Sequence, residues 1–363
     1  METKKFVDEN MLTADNKKDG ITWYKVNAVD MDLYGVDTNS GNDEALSCRI
    51  PFEIASKVNN GVADMNGFGA GVRLRFGTDS TTISIRAEYG RQWEPTCMSL
   101  CAIHGFDLYK CQDDRTEIFR HMYRPANDGF DRKVLANDSY VVKKDTGLTY
   151  YTLNFPLYSE VTNLYIGLDE GSKFTRGMKY KNELPVVFYG SSITHGAAAS
   201  RPGNIYEAFI AQKYNMNFVN LGFAGSARAE DTMTEYLASR KMCMFVSDYD
   251  FNAPNVEHLN NTHYKMYETI RAKNPDIPYV MISRPNFFHC VEEAVKRRDV
   301  VIASYKKALA NGDKNVYFID GETLLQGEYM ESCTVEGTHP TDVGFMRMAN
   351  VIGTKINEIL KLK

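Results

Sequence analysis

The sequence has no apolar run long enough to cross a membrane, because nowhere do about 18 apolar residues follow one another. The opening stretch, METKKFVDENM, is followed by no apolar segment of the kind that makes a secretory signal. We therefore expect a cytoplasmic protein with no membrane partner.

Runs of basic residues are also missing. The chain of 363 residues carries 42 lysines and arginines against 47 aspartates and glutamates, a formal net charge of −5. This mildly acidic balance gives no reason to expect a nucleic-acid partner. Apolar residues make up 43% of the chain, as in a globular protein with a full core, and the length predicts two domains.

Paired cysteines are absent as well. The seven cysteines are odd in number and none forms a CxxC pair, so the sequence predicts neither a disulfide framework nor a zinc site. We expect reduced, mostly buried thiols, no metal and no cofactor.

Alternation of apolar and polar residues dominates the first half of the chain. Residues 72–76 read VRLRF and residues 83–87 read ISIRA, and the intervening GTDSTT predicts a hairpin turn. The alternation returns in YYTLNF and NLYIGL, so we expect an antiparallel β-sandwich over residues 1–178. Trp23 and Trp93 are expected in its core.

Short runs that are apolar on both faces characterise residues 179–363. Each is followed by enough chain for a helix, which predicts a parallel, doubly wound sheet. One helix is expected to start at Asn204, with Glu207 three residues later forming a capping box. The five runs are PVVFYG, NFVNLGFA, MCMFVSDY, IPYVMIS and NVYFIDG.

Small and polar residues follow these runs, at the carboxyl ends of the expected strands, where open α/β sheets bind ligands. A serine is a weak nucleophile until a neighbouring base takes its proton, and Ser192 and His339 could form such a pair. Glu336 could orient the histidine. The N–H groups of Ser192 and Gly225 and the Asn252 amide could stabilise an oxyanion, so the set suits acyl transfer.

The arrangement resembles the SGNH (GDSL-type) hydrolases. Gly190-Ser191-Ser192 corresponds to the Gly-Asp-Ser block of that family, Gly225 and Asn252 to its second and third blocks, and Glu336-Gly337-Thr338-His339 to its terminal block. In the first half, Gly105-Phe106-Asp107-Leu108-Tyr109 looks like the GxDLY motif that precedes the hydrolase in one branch. The resemblance implies a flavodoxin-like α/β/α domain over residues 179–363, with Ser192, His339 and Glu336 as its triad.

Two residues depart from the family pattern. Ser191 stands where aspartate is usual, but that position is outside the triad. Glu336 also replaces an aspartate, and its extra methylene changes how the carboxylate approaches His339. Asp342 is a less favoured alternative because it lies beyond Pro340.

Each of these residues also has a purely structural interpretation. Ser192 and Gly225 could serve a turn, and Asn252 could cap the turn before Pro254. His195 is expected to line the mouth of the pocket rather than act as a base. The residues with a structural or a ligand-contacting role left open are Arg201, Arg284 and the stretch Gly105–Tyr109.

The leading functional hypothesis is a serine esterase that removes a short acyl group, above all acetyl, from a small-molecule ester such as an acetylated sugar. The first alternative is an acyltransferase that uses the same triad. The second is a carbohydrate-binding protein whose hydrolase half has lost most of its catalytic power. Hydrolysis of 4-nitrophenyl acetate separates this second alternative from the other two hypotheses.

Overall fold

In the computed structural model of the protein, residues 20–27, 30–37, 45–112, 117–125, 134–141, 147–285, 287 and 290–362 are described. Within these ranges, no helix has both the length and the apolar character that a bilayer span requires. The fold is mixed α/β, with antiparallel sheets in the N-terminal part and one parallel sheet in the C-terminal part, as expected.

In the described residues, ten strands and three short helices precede the parallel sheet. In chain order they are β1 (Ile21–Lys25), β2 (Asp32–Tyr34), α1 (Phe52–Val58), α2 (Asn60–Met65), β3 (Arg73–Thr78), β4 (Thr82–Gln92), α3 (Leu100–His104), β5 (Phe106–Cys111), β6 (Glu117–Tyr123), β7 (Val134–Val141), β8 (Thr149–Asn154), β9 (Ser159–Asp169) and β10 (Phe174–Arg176).

Two antiparallel sheets face each other in this part of the chain. One has the strand order β1-β9-β4-β7, and the other has the order β10-β3-β8-β5-β6 with β2 also paired to β3. The apolar positions that the alternation predicted are buried between them, including Leu74 and Phe76 on β3 and Ile83 and Ile85 on β4. The inward-facing residues of β3 and β4 were therefore predicted correctly, although Arg73 and Arg75 on the other face of β3 are buried as well.

The predicted hairpin between β3 and β4 is wrong. β3 pairs with β2, β8 and β10, whereas β4 pairs with β7 and β9, so the connection crosses from one sheet to the other. Trp23 and Trp93 are not core residues either, since 40% and 47% of their surfaces are exposed. A period of two identifies the buried face of a strand but not its partner.

The C-terminal part alternates strands and helices. Its elements are β11 (Asn182–Gly190), α4 (Ser192–His195), α5 (Tyr206–Tyr214), β12 (Met216–Gly222), α6 (Asp231–Ser239), β13 (Met244–Asp248), α7 (Val256–Lys273), β14 (Tyr279–Ile282), α8 (Val291–Ala310), β15 (Val316–Ile319) and α9 (Asp342–Leu360).

The five strands β11–β15 form a parallel sheet of order β12-β11-β13-β14-β15. This is the flavodoxin-like order. Strand β12 lies on one side of β11 and strands β13–β15 lie on the other, so the topological switch point is between β11 and β13. Val186, Val187, Phe188 and Tyr189 on β11 are fully buried, because this interior strand has packed layers on both faces.

Strand β12 lies at the edge of the parallel sheet, and the sandwich covers it. The Arg49 guanidinium donates hydrogen bonds to the carbonyls of Asn220 (3.3 Å) and Gly222 (2.8 Å), and that of Arg73 donates to the carbonyl of Phe218 (3.1 Å). Both arginines are almost completely buried. An edge strand presents unpaired carbonyls, so these two side chains complete its hydrogen bonding.

Helix α5 begins at Tyr206, two residues after the expected start, and has no capping box. Asn204 instead donates to the Asp342 carboxylate (2.8 Å), and the Glu207 carboxylate is buried and accepts from Asn220 (3.2 Å). Tertiary contacts therefore override the local capping signal at this helix.

Candidate active site

The candidate nucleophile follows β11, an interior strand of the parallel sheet. β11 ends at Gly190, and Ser192 opens the short helix α4. A Cβ atom at residue 190 would lie 2.1 Å from the Thr194 hydroxyl and 2.4 Å from the Asp248 carbonyl oxygen, so only glycine fits this sharp turn. The Ser191 side chain accepts a hydrogen bond from the Ile193 N–H (3.2 Å) and caps the helix.

His339 and Glu336, which lie shortly before α9, are close to this serine. The Ser192 hydroxyl lies 2.9 Å from His339 Nε2, and Glu336 Oε1 lies 2.7 Å from His339 Nδ1. The same carboxylate oxygen accepts a hydrogen bond from the His339 N–H (3.0 Å). A carboxylate at Nδ1 holds that nitrogen as the donor and leaves Nε2 free to accept the serine proton.

Glutamate at position 336 thus reaches the histidine despite its extra methylene. Asp342, the alternative carboxylate, is held elsewhere by the Ser200 N–H (2.9 Å) and the Asn204 amide. The site is open to solvent on the acid side, since 25% of the His339 side chain and 44% of the Glu336 side chain are exposed.

The turn that contains Gly225 is linked to Asn252 through the Phe223 carbonyl group. The Phe223 carbonyl accepts a turn hydrogen bond from the Ser226 N–H (2.8 Å) and a second from the Asn252 amide (2.8 Å). Gly225 is the third residue of this turn and has a φ of +69°, which favours glycine. Both the conformational and the donor role of Gly225 are compatible with this geometry.

His195 does not line a pocket mouth. Its ring is fully buried, stacks on Tyr158 with ring centroids 4.2 Å apart, and its Nε2 lies 2.8 Å from the Leu157 carbonyl oxygen. Burial, together with the charge of Arg49, lowers the pKa of His195 well below its usual range. The neutral ring fastens the segment after Ser192 to the sandwich.

Arg201 contacts the stretch Gly105–Tyr109. Its guanidinium lies 3.4 Å from the buried Asp107 carboxylate and 4.0 Å from the Phe119 ring centroid. Asp107 also accepts a hydrogen bond from the Gly203 N–H (2.8 Å). Burial raises the pKa of Asp107 to about 6. These contacts make the stretch an interdomain packing element.

The Arg284 guanidinium is largely buried against the Phe251 ring, 3.9 Å from its centroid, and the backbone N–H of Arg284 donates to the Asp250 carboxylate (2.9 Å). This packing places it directly after β14 and beside the segment that carries Asn252. Burial lowers the pKa of Arg284 below its ordinary value.

Two residues near the site were not singled out from the sequence. The Cys97 sulfur, from the sandwich, lies 4.0 Å from His339 Nδ1. Burial and the Glu336 charge raise the pKa of the Cys97 thiol. Asp248 lies beneath the nucleophile turn and accepts from the Thr194 hydroxyl (3.2 Å), and burial raises its pKa well above the usual range. Asp248 ends β13 and lies within the predicted run MCMFVSDY, and a carboxylate in such an apolar run is a signal that could have found it.

Comparison with known proteins accounts for both parts of the chain. Residues 183–357 match the model of the GDSL-like lipase/acylhydrolase family, and residues 21–174 match the model described as the N-terminus of SGNH-hydrolase-type esterases. The chain therefore combines a GDSL-like lipase/acylhydrolase domain with an N-terminal domain of SGNH-hydrolase-type esterases. These two matches confirm the resemblance of both halves and support a hydrolase.

Solved structures with the same fold include several other enzymes. A protein described as a GDSL-like lipase from Bacteroides ovatus is 27% identical, with a TM-score of 0.84 over 94% of this chain and 99% of its own. A salicylyl-acyltransferase from a tetracycline biosynthetic pathway is 18% identical, with a TM-score of 0.75 over 96% and 100%. An acetyl xylan esterase from Butyrivibrio proteoclasticus is 12% identical, with a TM-score of 0.57 over 94% and 99%. No curated protein matches the chain.

Proposed function

We propose that this acylhydrolase is a serine esterase that cleaves short acyl esters, above all acetyl esters of carbohydrates. The observation that carries the proposal is the chain of contacts from Ser192 through His339 (2.9 Å) to Glu336 (2.7 Å). Nucleophile, base and orienting acid within hydrogen-bonding distance of one another form the arrangement that acyl transfer requires.

In the proposed mechanism His339 Nε2 takes the Ser192 proton as the hydroxyl attacks the ester carbonyl. Glu336 stabilises the imidazolium that forms. The oxyanion accepts hydrogen bonds from the N–H groups of Ser192 and Gly225 and from the Asn252 amide. His339 then protonates the departing alcohol, and water hydrolyses the acyl-enzyme by the reverse sequence of proton transfers.

The short-acyl preference is supported by what surrounds the serine. Ala197, Ala198 and Ala199 follow α4 as small, buried residues, and the triad face is partly exposed. A fatty chain needs a long apolar channel, whereas an acetyl group on a large, polar molecule needs a shallow, open cleft. Carbohydrate esterases among the proteins of the same fold, including the acetyl xylan esterase, support the same choice.

The sandwich is proposed to form one wall of this cleft. Cys97 lies beside His339, and the Ser99 hydroxyl donates to the Ser200 carbonyl (2.6 Å), so the segment between β4 and α3 borders the site. Clefts between domains are common ligand sites. The leaving sugar would rest against this segment.

A series of 4-nitrophenyl esters from acetyl to dodecanoyl tests the acyl preference. Acetyl and propionyl esters are expected to be fastest, and a maximum at octanoyl or longer contradicts the proposal. Product analysis with an added sugar or alcohol then distinguishes hydrolysis from acyl transfer. If acylated acceptor forms in preference to free acid, the protein is an acyltransferase instead.

A further inference from the structure

Three different metal-ligand atoms converge on the acid side of the active site. They are the Cys97 sulfur, His339 Nδ1 and a Glu336 carboxylate oxygen, and all lie within 4.8 Å of one another. Cys97 comes from the sandwich, whereas the other two come from the segment before α9, so the cluster exists only when both parts of the chain are folded together.

The donor types suit one class of ion. Thiolate, imidazole and carboxylate together are ligands of Zn²⁺, whereas Mg²⁺ and Ca²⁺ prefer oxygen alone. Tetrahedral zinc, with bonds of about 2.0–2.3 Å, holds its ligand atoms roughly 3.3–3.7 Å apart. The present separations of 2.7 Å (Glu336 to His339) and 4.0 Å (Cys97 to His339) lie on either side of that range. The third separation, from the Cys97 sulfur to the Glu336 carboxylate, is at most 4.8 Å, so side-chain movements of about 1 Å would bring all three atoms into this range.

We propose that Cys97, His339 and Glu336 form an inhibitory site for Zn²⁺, with water as the fourth ligand. On binding, the Cys97 thiol releases its proton to solvent, and the thiolate and carboxylate balance the charge of the ion. The imidazole proton, now at Nδ1 facing Glu336, must leave that nitrogen and sit on Nε2.

This proton shift explains why the ion inhibits rather than assists. Nε2 is the atom 2.9 Å from the Ser192 hydroxyl. Once protonated it can no longer accept the serine proton, and Glu336 is no longer available to stabilise an imidazolium. The inhibition rests on the proposed esterase mechanism, whereas the binding of the ion does not.

Binding is tested first, without reference to activity. The full chain, freed of metal by chelation, is titrated with Co²⁺, and the thiolate-to-cobalt absorption band is recorded. The wild-type protein and Cys101→Ala are expected to show the band, with one ion per chain displaced by Zn²⁺. Cys97→Ala and Cys97→Ser are expected to lack it. Absence of the band in the wild-type protein overturns the proposal, as does its persistence in both Cys97 variants.

Inhibition is tested second, with 4-nitrophenyl acetate and each protein compared with its own metal-free rate. Micromolar Zn²⁺ is expected to inhibit the wild-type protein and Cys101→Ala, while Mg²⁺ has no effect. For Cys97→Ala the half-inhibiting Zn²⁺ concentration should rise by at least about tenfold, since even the loss of an outer partner of a metal ligand costs 10–100-fold. Equal inhibition of Cys97→Ala and wild type contradicts the proposal. A protein without esterase activity that still shows the cobalt band refutes the proposed function but not the metal site.

Discussion

Replacing Arg49 by methionine tests how the sandwich supports the hydrolase sheet. Arg49 is fully buried and donates to three carbonyls, those of Asn220 (3.3 Å), Gly222 (2.8 Å) and Met65 (2.8 Å). Methionine keeps the approximate volume of the side chain but removes every donor. Two of the carbonyls belong to the edge strand β12, which leads directly into the turn that holds Gly225.

The expected magnitude follows from two opposing contributions. Each buried carbonyl left without a donor costs about 1–3 kcal/mol. The Met65 carbonyl keeps the hydrogen bond from the Phe68 N–H (3.1 Å), so the two carbonyls of β12 cost at most about 6 kcal/mol. Burial of the guanidinium is itself unfavourable and lowers the pKa of Arg49 to about 9. Its removal therefore offsets part of the free energy lost at the carbonyls. We expect the free energy of unfolding to fall by roughly 3–5 kcal/mol, as when one partner of a buried charged network is removed.

Urea denaturation followed by fluorescence measures this loss. Arg86→Met is the matched control, because 52% of the Arg86 side chain is exposed and its substitution should change stability by no more than about 0.5 kcal/mol. A loss below about 1 kcal/mol in Arg49→Met would refute the reasoning. It would show that β12 does not depend on the sandwich for its hydrogen bonds.

The remaining predictions concern the reaction itself. Ser192→Ala should lower kcat by several orders of magnitude, whereas Ser191→Ala should keep most activity and lose about 1 kcal/mol of stability with its helix cap; the reverse pattern in an ester assay would contradict the assignment. Asn252→Ala should lower kcat by about 10²–10³ with little change in KM, and a raised KM at full kcat would make Asn252 a ground-state contact. Glu336→Gln should reduce kcat, whereas Glu336→Asp should be tolerated. Full activity of Glu336→Gln together with an inactive Asp342→Asn would show that Asp342, and not Glu336, orients His339.

Local patterns in the sequence predicted much of this molecule. The four apolar residues before Gly190 predicted a strand buried on both faces, and alternation predicted the inward side chains of β3 and β4. Both signals depend only on which face of an element is covered. The doubly wound pattern predicted that Ser192, Gly225, Asn252 and His339 lie along one sheet edge, because that edge collects the carboxyl ends of parallel strands. The flavodoxin-like strand order was implied only by the family resemblance.

Contacts between distant segments could not be predicted in the same way. Arg49 and Arg73 are charged residues that a local pattern assigns to solvent, yet both are buried because strand β12 needs donors at its edge. Cys97 lies 242 residues before the histidine it approaches, and nothing in its own segment indicates this neighbour. His195 follows the nucleophile closely, but its stacking on Tyr158 depends on how the two parts of the chain pack.

Stoichiometric reaction with diethyl 4-nitrophenyl phosphate, followed by peptide mapping by mass spectrometry, tests directly whether Ser192 is the nucleophile. We expect release of one equivalent of 4-nitrophenolate per chain, complete loss of esterase activity, and a diethylphosphoryl group on the peptide that contains Ser192. Ser192→Ala should remain unmodified. A label on another residue, or an unlabelled Ser192 in a protein that has lost its activity, would contradict the assignment of Ser192 as the nucleophile.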